Sequence, residues 1–332
     1  MRFCTRALAL SINDEERCEL LRKCALMNWR LQRYEPAHAD ALAAVTSSTT
    51  DEMGKASNAK AYRVAGLADY EIAQYRSAAK LFESAIETGH GDGAKYELSL
   101  AMEKMKQETT GDYKFENMRV AAFAEAESWK RYDCASFTKH TRVGDTPANG
   151  RGLFTTTDIK AGEVVMVERA FAIAFTSDLF AQLQNTYNSN TERLSTGPHA
   201  TLLATLYDRI QHNPKHGAKC LELYSGGYVP AQVDDGKHSP VVDSFHLQAI
   251  IEHNAFGCRD VTEEREASKE AGEYVGPMEL RGGLGIWVQA SYINHCCVEN
   301  AHITYLGDMM IVTAVRDIPK GAGRDHDPVQ FA

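Results

Sequence analysis

No C-x-x-C pair occurs in these 332 residues, although there are eight cysteines, at positions 4, 18, 24, 134, 220, 258, 296 and 297. Their spacing is no disulfide framework for a chain of this length, so a reducing compartment, cytoplasm or nucleus, is expected. No Asn-x-Ser/Thr sequon is present. No apolar run approaches the ~18 residues that cross a bilayer, so no membrane partner is expected. Basic residues are not in excess: 36 Lys and Arg face 45 Asp and Glu, for a net charge of -9. That balance argues against direct nucleic-acid contact and suits a basic partner better. There is no G-x-S-x-G elbow and no G-x-x-x-x-G-K-[ST] loop. Gly282-Gly283-Leu284-Gly285 is not a dinucleotide fingerprint, because Val288 stands where the third glycine belongs. The start, MRFCTRALALSI, holds two arginines but is short for a secretory signal, and a mitochondrial presequence is the alternative.

With 44% hydrophobic and 24% charged residues the chain can bury real cores, and its length favours two domains. Residues 1–135 are expected to be helical, being rich in Ala, Glu, Lys, Leu and Met without strand-like alternation. The polar run Thr46–Thr50 separates two helical stretches. From Lys60 onward, Tyr62, Gly66, Tyr75, Ala78, Phe82 and Ala85 follow a pattern in which small residues let two antiparallel helices approach and aromatics fill the gaps. This spacing resembles a tetratricopeptide repeat, a helix–turn–helix of about 34 residues. Asp69 stands where the repeat usually has tyrosine, and a looser second copy runs through Tyr96, Leu100, Tyr113 and Phe123. An ordinary helical hairpin is the other reading. Either form would serve as a docking surface for protein partners.

The composition turns to Gly, Asp, Pro and Asn at 144–150, and residues 136–148 are expected to be a linker. Beyond it strands are expected at Leu153–Thr157, Val164–Phe175, Gly285–Ala290, Ile303–Leu306 and Met309–Val315. Gly307-Asp308 reads as a two-residue hairpin turn. Helices are expected at His199–Ile210 and Ser244–Phe256, inside an insert spanning about 176–281. The fold class is therefore α+β, helical first and mostly β afterwards.

The most unusual stretch is Asn294-His295-Cys296-Cys297-Val298-Glu299-Asn300. A zinc site there would ask adjacent residues to reach one tetrahedral ion, and a thiolate nucleophile would need a base that sequence alone does not show. A second segment narrows the choice. Asn149-Gly150-Arg151-Gly152-Leu153-Phe154 and Asp158-Ile159-Lys160-Ala161-Gly162-Glu163 resemble the opening of a SET domain. Ser291 to Asn300, followed by Gly307-Asp308 and Ala314 to Gly321, resembles its signature half. The family's usual central motif is N-H-S-C-x-P-N; here Cys296 replaces the serine and Glu299 the proline. The resemblance covers 149–321, with an insert as in SMYD-like members, and with the helical half it extends to fungal TPR–SET proteins. An unrelated small-barrel domain is the third reading of the β half.

The resemblance implies a protein-lysine methyltransferase that uses S-adenosyl-L-methionine, with a lysine of a histone or non-histone protein as substrate. It implies that Gly150, Arg151 and Gly152 approach the cofactor, that Asn294 and His295 hold it, and that Asn254 and Ser291 line the same pocket. It implies no metal, since no cysteine follows Cys297 to complete a zinc cluster. The family's closing segment carries a tyrosine that aligns the amine. Residues 322–332 hold no tyrosine and no strand pattern, so a catalytic residue is missing from the expected set. The expectation is a pocket open on one side and weak or absent transfer. A non-catalytic scaffold, docking partners through the helical half, is the alternative.

Overall fold

A computed structural model of the protein describes residues 13–46, 51–118, 131–146, 150–176, 183–230, 242–259, 282–321 and 329–331. The chain forms two compact units, Met1–Lys106 with Asp208–Ala218, and Gln107–Tyr207 with Lys219–Ala332. Among the described residues no helix is long and apolar enough to cross a membrane. The amino-terminal stretch MRFCTRALALSI, most of the Thr46–Thr50 break and Phe123 lie outside the described residues.

The first unit is helical. Helix α1 (Asp14–Arg30) starts on Asn13, whose side chain accepts from the Glu16 N–H at 2.8 Å, and three acids in its first turn suit the helix dipole. Helix α2 (Tyr34–Ala43) begins at Arg33, which makes no side-chain cap. The missing acceptor comes from far along the chain: Asn213 Oδ1 takes the N–H groups of Tyr34 (2.7 Å) and Glu35 (3.1 Å), while its Nδ2 donates to Gln32 O. Asn213 is fully buried.

Helices α3 (Glu52–Glu71) and α4 (Tyr75–Glu87) form the expected hairpin. Tyr75, Ala78, Ala79, Phe82 and Ala85 give α4 one buried face at helical spacing. Gly66 lets α3 approach that face, since a Cβ there would sit 2.6 Å from the Phe82 ring. Asp69, at the position the repeat gives to tyrosine, is buried and lies 2.7 Å from His38 Nδ1. Helix α5 (Ala94–Thr110) follows.

The second unit carries the sheets. The expected linker is not one: Thr141–Thr146 forms β1, paired antiparallel with β2 (Gly150–Thr155), and Phe137 bridges to Val167. Composition hid β1 because its Gly144-Asp145 pair reads as a turn. Strands β3 (Val164–Arg169) and β4 (Ala172–Phe175) share the expected Val164–Phe175 run. The insert contains a hairpin, β5 (Asn185–Asn188) with β6 (Arg193–Thr196), then helices α6 (Pro198–His212), α7 (Pro214–Leu221) and α8 (Ser244–Asn254). It closes on β7 (Phe256–Arg259), which pairs with β8 (Gly282–Ile286); β8 also pairs with β4. The strand expected to run to Ala290 stops at Ile286, and Ala290–Tyr292 turns as a 3-10 helix.

Beyond that turn, β9 (Asn294–His295) precedes the hairpin of β10 (Ala301–Leu306) and β11 (Met309–Ala314), and β11 pairs with β3. Gly307 takes φ +58° in the expected two-residue turn. Finally β12 (Gln330–Phe331) runs parallel to β9. Leu153, Met166, Trp287, Ile293, Met310, Val312 and Val329 share one buried core. That core holds the two halves of the resemblance together.

Candidate active site

Three short stretches of backbone meet at the edge of this core. Gly150, at φ +71°, opens β2 in a conformation that suits glycine, and a Cβ there would meet nothing within 4 Å. The Val329 N–H donates to Leu153 O at 2.7 Å, and the Asn294 N–H donates to Val329 O at 3.3 Å. Residue 329 thus stitches the strand after Gly152 to the strand that begins at Asn294. Asn300 fastens the same edge: its Oδ1 accepts from the Gln330 N–H at 2.8 Å and its N–H donates to Gln330 O.

This corrects one expectation. The residues after Gly321 were expected to hold no strand. Instead β12 lies along Asn294-His295, with Val329 fully buried. A run of three residues is enough, because one valine fills the core while the backbone completes the ladder. Such a run is too short to show any periodicity.

The seven residues singled out in the sequence are placed as follows. Gly150, Arg151 and Gly152 lie on β2, which packs on the 3-10 turn. Arg151 is occupied: Nη2 donates to Glu222 O at 2.6 Å, Nη1 to the Tyr292 hydroxyl at 3.3 Å, and the guanidinium lies over the Tyr292 ring at 4.9 Å. Ser291 donates its hydroxyl to Trp287 O at 2.8 Å and so shapes the turn. Asn254, at the end of α8, spends both donor contacts on carbonyls, those of Tyr224 (2.7 Å) and Ile250 (2.8 Å). It reaches the others through the 222–224 segment that Arg151 also grips. His295 is exposed on β9.

Asn294 differs from all of these. Its Nδ2 is buried and has no hydrogen-bond partner among the described residues. A buried amide donor left unpaired costs roughly 1–3 kcal/mol, so such an atom at a motif marks a place for an acceptor. Cys297 is exposed and Cys296 half-buried, and among the described residues no group of three or more His, Cys, Asp and Glu side chains is placed to hold a metal.

The sequence reading missed Glu168. Its carboxylate lies buried at the end of β3, with Oε1 accepting from the Gln289 N–H and Oε2 from the Ala290 N–H, each at 2.8 Å. Burial pushes its pKa up to about 7, against the opposing pull of these donors and of the Val288 N–H. The one signal in the sequence is an acid ending the apolar run Val164-Val165-Met166-Val167. Of the two tyrosines near the motif, Tyr292 is engaged by Arg151, and Tyr305 packs on Trp287 with its ring 5.4 Å away. Burial raises the pKa of both phenols.

A family model described as "SET domain" matches residues 150–322, more than half of the chain. The chain belongs to the SET-domain family. A curated protein of Gibberella zeae named "Methyltransferase" is 28% identical to it over 326 residues, covering 96% of this chain. The alignment spans only 43% of that relative's length. The SET match begins at Gly150, the left-handed glycine of β2, and closes just after Gly321, whose N–H donates to Thr155 O. Within this SET domain the two motifs, far apart in sequence, share one edge of the core.

Proposed function

We propose that this chain is a SET-type methyltransferase that moves a methyl group from S-adenosylmethionine to the ε-amine of a lysine on a protein. The observation that carries the reading is the unpartnered, buried Nδ2 of Asn294 beside β2 and β12. An S-adenosylmethionine molecule presents carboxylate and ring-nitrogen acceptors, which fit such a donor. The Gly150 turn, open on the side where a Cβ would stand, leaves room for close backbone approach.

When bound, the cofactor supplies a methyl group on a cationic sulfur, already electrophilic. The residues of the chain are left to bind, align and exclude water. Asn294 donates its side-chain amide and His295 contributes its backbone. Gly150 to Gly152 close the opposite wall, while Asn254 and Ser291 act indirectly, by shaping the segments on which the pocket rests. Phe256, Trp287 and Tyr305 pack ring against ring at 6.3 and 5.4 Å in the core beside the motif. A lysine near its ordinary pKa of about 10.4 must give up a proton before it can attack, and desolvation pushes in that direction. Transfer is expected to be slow, because Tyr292 is held by Arg151 and Tyr305 packs on the buried Trp287.

The helical unit supports a second role beside this one. The Gly66–Phe82 contact gives α3 and α4 the close approach of a tetratricopeptide-like hairpin, which suits docking of a protein partner. The test joins both roles. Calorimetric titration with S-adenosylmethionine is expected to show one site, and isotope transfer to histones or lysate proteins is expected to be weak but lysine-specific. No heat of binding up to about millimolar cofactor would reject the enzyme reading and leave the scaffold.

A further inference from the structure

The turn that leads into the Asn294 motif is held from three sides. Trp287 Nε1 donates to Asp308 O at 3.1 Å, in the β10–β11 turn. Gln289 Nε2 donates to Thr141 Oγ1 at 3.3 Å, on β1. Between these two tethers, both oxygens of Glu168 take successive N–H groups at 289 and 290. We propose that Glu168 is a positioning residue for the methyl-donor pocket: it fixes the 288–290 turn, and that turn sets where Asn294 presents its amide. This inference rests on the cofactor reading above.

The chemistry of the position argues for more than packing. A carboxyl buried at the end of an apolar strand is costly, and an aliphatic side chain would stabilise the same sheet without that penalty. What Glu168 offers that an aliphatic residue cannot is two acceptors at a fixed separation. They match the N–H groups that a 3-10 turn leaves without partners at its start. From Ala290 the backbone runs through consecutive short-range bonds, Ser291 N–H to Trp287 O, Tyr292 N–H to Gln289 O and Ile293 N–H to Ala290 O. No slack separates the clamped turn from Asn294. A shift at 289–290 is therefore passed on to the motif, and displacements of about 1 Å at a binding group can cost orders of magnitude in rate.

The test is Glu168→Gln in the full chain, titrated calorimetrically with S-adenosylmethionine. Glutamine keeps the volume but points an NH2 at a backbone N–H. The expected result is a Kd raised about tenfold or more with the number of sites per folded molecule unchanged. Glu163→Gln, in the exposed turn before β3 where Glu163 Oε2 accepts from Lys160 N, is expected to bind like the unaltered protein. A variant whose Kd is unchanged while the number of sites falls would show a role in folding alone and overturn the proposal. An unchanged Kd with unchanged sites would overturn it equally. Should E168Q precipitate, amide exchange on the unaltered protein decides. Added cofactor is expected to slow exchange at 288–290 together with 294–295, and slowing confined to 294–295 overturns the inference. Failure of the unaltered protein to bind at all would sink the cofactor reading and this inference together, whereas equal binding by both forms sinks the inference alone.

Discussion

Asn294 and Arg151 were singled out by the same resemblance, and the structure treats them differently. The guanidinium of Arg151 is bound to a carbonyl and a phenol, so it acts as a clamp between β2, the Tyr292 ring and the 222–224 segment. Asn294 keeps an amide nitrogen that no described residue satisfies. Replacing Asn294 with Ala should therefore weaken S-adenosylmethionine binding by at least about tenfold, yet leave the melting temperature unchanged or slightly raised, because a desolvated donor is removed. Calorimetry and a thermal melt on the same sample check both halves. At this scale the motif residues could be read from sequence because their spacing is particular to a family. Glu168 could not be read, because its importance lies in three N–H groups 120 residues downstream, and an acid in a strand looks the same whether exposed or buried.

Among the elements, those with long periodic patterns were predictable. The buried face of α4 and the β10–β11 hairpin with its Gly307 turn follow from residue spacing alone. Elements made by partners were not: β1 exists because β2 lies beside it, and β12 because β9 offers an edge and the core a place for one valine. The start of α2 depends on a partner in the same way, since Arg33 leaves it uncapped and Asn213 supplies the acceptor. Asn213→Ala is expected to destabilise the helical unit by about 1–2 kcal/mol, the usual cost of a lost N-cap, with greater exchange at the Tyr34 and Glu35 amides. Denaturant melts of the whole chain, monitored by the exchange of those two amides, test it; an unchanged midpoint would contradict it.

For the whole molecule, Glu168 and His38 tie stability to pH in one direction, while His199, His212 and His246, whose pKa values burial lowers, tie it in the other. Glu168 has a folded pKa of about 7 against 4.5 unfolded, so the folded protein binds the extra proton between those values. Its contribution is complete below pH 4.5 and is lost as pH rises through 7, on the order of 3 kcal/mol in all. His38, raised chiefly by its bond to Asp69 and opposed by burial and by Lys215, contributes stability that is present below about 6.5 and fades as pH rises past its folded value. Between pH 5 and pH 8 the unfolding free energy of the unaltered protein should fall relative to that of E168Q. A series of denaturant melts across that range measures the slope, and an identical slope in both proteins would contradict the assignment to Glu168. The division into units was the least legible feature of all. Residues 208–218 read as part of the insert, but their asparagine completes a helix near the other end of the chain.

That long-range cap bears on how the protein is made. Tyr34 and Asn213 are 179 residues apart, and a ribosome adds about 5–20 residues each second. For roughly ten to forty seconds, then, the nascent helical unit carries α2 with two backbone donors turned to solvent and the site meant for Asn213 unfilled. A stall in translation ahead of codon 213 would leave the amino-terminal half exposed in this unfinished state, long before any question of catalysis arises.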